Sequence, residues 1–106
     1  MTEEYIRVCR LDDLQEARTR VFEIGGKQLL VAREKDQVYI IDNTCTHDNG
    51  IIGDGKVIQG EVQCPRHGAR FDIKTGRAMQ LPAIMDIKTY KTMVVNGDVM
   101  VSLKRY

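Results

Sequence analysis

Cys45-Thr46-His47 and, sixteen residues further on, Cys64-Pro65-Arg66-His67 hold both histidines and two of the three cysteines of this 106-residue chain. One Cys and one His come from each of two short segments. Two thiolates and two imidazoles make a four-ligand set suited to zinc or to an iron–sulfur cluster. A structural zinc finger ordinarily draws paired cysteines from one segment and paired histidines from another. Here each segment is mixed, which suits a two-metal core: the two Cys converge on one iron and the two His on the other, each loop spanning the pair.

This spacing, C-x-H followed by C-x-x-H, resembles the Rieske [2Fe-2S] family, and the resemblance continues through Gly68, Phe71-Asp72, Thr75-Gly76 and Leu81-Pro82. It implies one [2Fe-2S] cluster with Cys45, His47, Cys64 and His67 as its metal ligands. It also implies a proline-containing third loop that shields the cluster, for which Pro82 is the candidate, and His edges near solvent where electrons leave. Two ferric ions, two sulfides, two thiolates and two neutral imidazoles sum to zero charge. Replacing Cys by His therefore raises the potential from about −400 mV in plant-type ferredoxins to about −150 to +300 mV. High-potential members of the family carry a disulfide between the two loops and hydroxyl donors toward the cluster. At those positions this chain has Gly50 and Arg66 for the cysteines, and Ala69 and Phe71 for the donors. Without them the potential is expected at the low end, about −150 mV, which suits passing electrons from a flavoprotein reductase to an oxygenase.

Outward from the ligand segments the chain reads as short strands. Tyr5 to Leu11 alternates apolar and polar residues, and 12–16 reads as a polar turn. Gly25-Gly26 joins 21–24 to 28–32 as a hairpin, Lys35-Asp36 turns into the β-branched run 38–41, and Asn96-Gly97 joins 93–95 to 98–101. Between the ligand segments, 57–63 reads as a short hairpin ending at Cys64; 70–73 and 84–90 read as extended, and no amphipathic helix of useful length is visible. Such spacing implies an all-β fold: an antiparallel β-sandwich or barrel base with an inserted smaller cluster-binding lobe, about 43–83, in a single domain over 1–106. Met79, Met85, Met93 and Met100 read as core filling. Ile52 is expected to cover the cluster from within its loop and Ile51 to face outward. Arg66 and Arg70 are either solvated charges or contacts for an acidic partner.

Sixteen Lys and Arg against fifteen Asp and Glu give a net charge of +1, no basis for nucleic acid or an anionic membrane surface. No apolar run is long enough to span a bilayer and no secretion signal opens the chain, so a cytoplasmic location is expected. Cys9, on an alternating stretch, reads as a small buried hydrophobe. With both histidines committed to the cluster, neither a mononuclear iron site of the Rieske oxygenases nor histidine acid–base catalysis can be built. The chain is expected to be an electron carrier and not an enzyme: a monomer between a flavin-dependent reductase and a terminal oxygenase of the ring-hydroxylating kind. Two alternatives stand beside it: a tightly bound small subunit of a larger reductase, such as assimilatory nitrite reductase, and a Cys2His2 zinc module.

Overall fold

The structure, a computed structural model, describes residues 4–46, 48–53 and 55–103. Strands β1 (Ile6–Arg10), β2 (Arg18–Ile24), β3 (Lys27–Glu34) and β4 (Gln37–Asp42) come first. After the ligand segments begin, β5 (Glu61–Gln63), β6 (Arg70–Asp72) and β7 (Ala78–Gln80) follow, and β8 (Thr89–Val95) and β9 (Asp98–Ser102) close the chain. The strands form a six-stranded antiparallel sheet in the order β1-β9-β8-β4-β3-β2, nearly closed on itself, and a three-stranded sheet β5-β6-β7. The expected all-β base with a smaller inserted lobe is what forms.

Turn chemistry sets the base. Gly25 and Gly26, and likewise Asn96 and Gly97, all take positive φ, the conformation a two-residue hairpin requires. Lys35 does the same between β3 and β4, at some cost in strain for a side chain with a Cβ. Arg33 reaches back from β3, donating through Nη1 to the carbonyls of Leu11 and Leu14, and so pins the single turn of 3-10 helix at Leu11–Asp13 that stands where a polar turn was expected.

Leu29-Leu30-Val31-Ala32 is buried at every position, which an ordinary half-exposed strand would not be. The reason is that β3 has a core on each face. Alternate side chains point to opposite sides of a strand. Leu29 and Val31 pack with Cys9, Leu14, Val38, Ile40, Tyr90, Val99 and Val101 inside the base. Leu30 and Ala32, with Ile41 of β4, pack against Val57, Val62, Phe71, Ile73, Ala83 and Ile87 of the insertion, in the same cluster as Cys45 and Cys64. The shared wall β3–β4 therefore fixes the insertion on the base. Each fully buried aliphatic or aromatic side chain there contributes roughly 1.5–3 kcal/mol of transfer free energy. The insertion leaves from the end of β4 and returns into β8, and these strands are neighbours, with Ile40 opposite Tyr90 and Ile41 opposite Thr89.

Several expectations need correction. The first arm of the hairpin read over 57–63 is no strand: Lys56 bridges to Arg18 and the Val57 N–H donates to the Ala17 carbonyl, so this stretch is tied to the base and only Ile58 pairs with Glu61. Residues 84–87 are irregular, with the Ile87 N–H drawn to Gly76 and the Met85 carbonyl to Thr46, and pairing with β4 resumes only at Lys88, whose carbonyl accepts from the Asp42 N–H. Met79, Met85 and Met93 are exposed and Met100 is partly so; they sit on outward faces and a surface segment and are not core filling.

Candidate metal centre

Each cysteine opens a loop closed by the same two hydrogen bonds. The Asn49 N–H donates to the Cys45 carbonyl and the Cys45 N–H to the Gly50 carbonyl, both at 2.8 Å. In the second loop the Gly68 N–H donates to the Cys64 carbonyl at 3.1 Å and the Cys64 N–H to the Ala69 carbonyl at 2.7 Å. The fourth residue after each cysteine carries the reversal, with φ of 60° at Asn49 and 78° at Gly68. Gly and Asn are the residues that tolerate this region best. The two loops thus share their closing hydrogen bonds and their point of reversal although their Cys-to-His spacings differ.

The loops bring the sulfurs together. Cys45 Sγ, Cys64 Sγ and a carboxylate oxygen of Asp48 all lie within 4.8 Å of one another. Two thiolates on one tetrahedral ion, each at about 2.3 Å, stand roughly 3.8 Å apart, so this pair is spaced to share a metal. Both cysteines are fully buried, together with Ala69 and Phe71, so the sulfur end is shut off from water by apolar side chains that offer it no hydroxyl. The His67 side chain is 58% exposed at the outer end, with Nδ1 3.8 Å from Asp48 Oδ2. His47 lies outside the described residues. A buried sulfur pair beneath an exposed imidazole fits the asymmetric ligand set of a [2Fe-2S] centre of the Cys2His2 type.

Arg66, expected to be solvated or to face a partner, is engaged within the chain. Its Nε donates to Asp48 Oδ2 at 2.6 Å and its Nη2 to Asp48 Oδ1 at 2.9 Å, while Nη1 donates to the Ile51 carbonyl. These bonds push the guanidinium pKa still further up, with the Cys64 and Cys45 thiolates adding in the same direction. A Cβ on Gly50 would lie 2.5 Å from Arg66 Cζ, so the guanidinium occupies the space a side chain at position 50 would need. Gly50 and Arg66, the positions matched to disulfide cysteines in high-potential relatives, therefore do abut. The role of Asp48 was missed because nothing in local spacing links a residue of one loop to an arginine of the other.

The segment that carries Pro82 is fastened to the first loop: the Thr46 hydroxyl donates to the Met85 carbonyl at 2.7 Å. Pro82 is half-buried, while Leu81, Ile84 and Met85 are exposed. Ile52 is buried and Ile51 exposed, as expected. Cys9 is buried in the base among Leu29, Val31 and Val99, in the cluster separate from the one that holds Cys45 and Cys64, and burial, helped by nearby Asp13, pushes its thiol pKa up, which makes it a poor nucleophile.

Residues 4–91 match the Rieske [2Fe-2S] domain. The chain is 35% identical, over 98% of its own length and all of the relative's, to the ferredoxin component of the naphthalene 1,2-dioxygenase/salicylate 5-hydroxylase systems of a Ralstonia species. Among solved structures it is similar to the ferredoxin of carbazole 1,9a-dioxygenase from Nocardioides aromaticivorans, with a TM-score of 0.88, 31% identity, and 94% and 98% of the two chains covered. It is also similar to a chain in a complex of reduced oxygenase and oxidised ferredoxin of carbazole 1,9a-dioxygenase, with a TM-score of 0.86, 28% identity, and 99% and 98% covered. Fold, paired cysteine loops and whole-length similarity agree, and the chain belongs to the Rieske [2Fe-2S] domain family, among the ferredoxin components of dioxygenase systems.

Proposed function

We propose that this chain is a monomeric cytoplasmic ferredoxin that carries one electron at a time on a single [2Fe-2S] cluster, held by Cys45 and Cys64 at the buried end, by His67 at the outer end, and by His47. It operates as one domain whose insertion, about 43–83, is the cluster lobe. When bound, the cluster supplies a one-electron couple that its histidine ligands place above that of all-cysteine centres. The protein does the rest. Ala69, Phe71 and Ile52 keep water from the sulfur end, and the paired loop hydrogen bonds hold the cysteines at fixed spacing.

The observation that carries this reading is the identical closure of the Cys45 and Cys64 loops, which sets two buried sulfurs close enough to share one ion. Partners follow from the relatives. The similar carbazole 1,9a-dioxygenase ferredoxin has been seen with its oxygenase, and the same exchange is proposed here, with a flavin-dependent reductase as donor and a terminal oxygenase as acceptor. Exposed His67 is the point at which both would be met in turn, with exposed Ile51 of the first loop and exposed Ile84 and Met85 of the segment fastened to that loop at Thr46 as candidate contacts. Among the described residues no helix is long and apolar enough to cross a membrane.

The test is chemical analysis of the purified, matured protein. Two irons and two acid-labile sulfides per chain are expected, with a visible chromophore that disappears in Cys45→Ala, Cys64→Ala and His67→Ala. A chain that contains zinc and no sulfide, or a His67→Ala variant with unchanged absorption, defeats the proposal. Light scattering of the holoprotein checks the monomer.

A further inference from the structure

We infer that Asp48 and Arg66 form a charge-compensated clasp across the two cysteine loops, keeping them closed on the cluster and cancelling each other's field at it. Asp48 belongs to the first loop and Arg66 to the second. The guanidinium meets the carboxylate through two parallel N–H donors, at 2.6 and 2.9 Å, and spends a third on the Ile51 carbonyl. Asp48 Oδ1 also accepts from the Gly50 N–H at 2.9 Å, which ties the carboxylate to its own loop. Gly50 leaves the room: any Cβ there would strike Arg66 Cζ at 2.5 Å. Four hydrogen bonds and one missing side chain therefore converge on a single contact between the loops.

Position gives the contact its second effect. A carboxylate oxygen of Asp48 is within 4.8 Å of both cysteine sulfurs, and the side chains of Asp48 and Arg66 are only 24% and 34% exposed. A charge at that distance in a partly shielded site acts on whatever the sulfurs hold, much more than one in open solvent. A lone carboxylate opposes an incoming electron; a lone guanidinium favours it. Bidentate pairing is also the strongest form of such a contact, and Lys, a point charge, does not reproduce it. Asp48 and Arg66 are accordingly positioning residues, acting on the cluster through the loops and through their charge.

This inference rests on the ligand assignment above. It is tested on holoprotein with Arg66→Leu, Asp48→Asn, the double variant, and Arg66→Lys, by the rate at which visible absorption bleaches under a chelator and by the midpoint potential. Arg66→Leu is expected to release the cluster about tenfold faster, Arg66→Lys to recover part of that, and the double variant to be no worse than Arg66→Leu alone. The potential is expected to fall in Arg66→Leu, rise in Asp48→Asn, and return near wild type in the double variant. Opposed shifts that cancel are a signature that mere loosening of the loops does not produce. A wild-type release rate in Arg66→Leu, additive effects, or shifts of one sign overturn the clasp while leaving the ligand set intact; a wild-type chain without the chromophore overturns the ligand set and the clasp together.

Discussion

Gly76 and Ile87 meet backbone to backbone: the Ile87 N–H donates to the Gly76 carbonyl at 2.7 Å, and a Cβ on Gly76 would lie 2.0 Å from the Ile87 oxygen. Gly76 also takes φ of +75°. Both facts demand glycine. The contact closes the turn between β6 and β7 onto the returning chain, beside the core that contains Cys45 and Cys64. Gly76→Ala is expected to cost about 3 kcal/mol, part from the left-handed backbone and part from forced displacement of Ile87. Urea unfolding checks it as a lowered midpoint at unchanged slope.

Ala17 presents the opposite case. It holds φ of +59° with no glycine to ease it, because its N–H donates to the Arg33 carbonyl while its own carbonyl accepts from the Val57 N–H. The second of these bonds stitches the insertion to the base, and the two together over-determine the strained residue. Ala17→Gly relieves roughly 1–2 kcal/mol of strain, against about 0.4–1 kcal/mol from the extra freedom of the unfolded chain. A net stabilisation of about 0.5–1 kcal/mol is expected, read as a rise in Tm.

Buried Ala69 and Phe71 stand where hydroxyl donors would raise the potential, and neither offers one. Redox titration is expected to give about −150 mV; a value well above zero contradicts this account of the site. Ala69→Ser adds a donor beside the sulfur end. If its hydrogen bond to the reduced form is worth about 1 kcal/mol, the potential rises by on the order of 40 mV.

Asp98 accepts from Arg7 Nε at 3.0 Å and from Arg10 Nη1 at 3.2 Å, tying β1 to the β8–β9 hairpin. The Arg7 hydrogen bond first, and then that of Arg10, holds its carboxyl below the ordinary 3.8. With the folded pKa below the unfolded one, the contact stabilises the protein at pH above the unfolded value and is lost as pH falls through the folded one. Wild type should therefore exceed Asp98→Asn in Tm at neutral pH, and the two curves should converge in acid below about pH 4.

Much of this was legible in the chain. Gly25-Gly26 and Asn96-Gly97 announce hairpins because their residues enter positive φ at low cost, and the two Cys–His segments carry donor chemistry that few other arrangements use. What stayed hidden has a common cause. The strand Ala78–Gln80 is three residues long and mostly exposed, so it has no alternation to read. Lys56 pairs with Arg18 across the fold, and Asp48 with Arg66 across the loops, contacts set by how the insertion lands on β3 and β4. The equivalence of Asn49 and Gly68 emerges only once both loops are seen closed.

The inserted segment departs from one strand and rejoins its immediate neighbour, where Ile41 faces Thr89. Neighbouring strands run about 4.8 Å apart, a gap that a tight turn spans. The ladder of the base would therefore remain continuous with the intervening residues replaced by such a turn. The iron-handling part of the molecule is architecturally a graft, and its loops can diverge in length and composition without rethreading the frame that presents them.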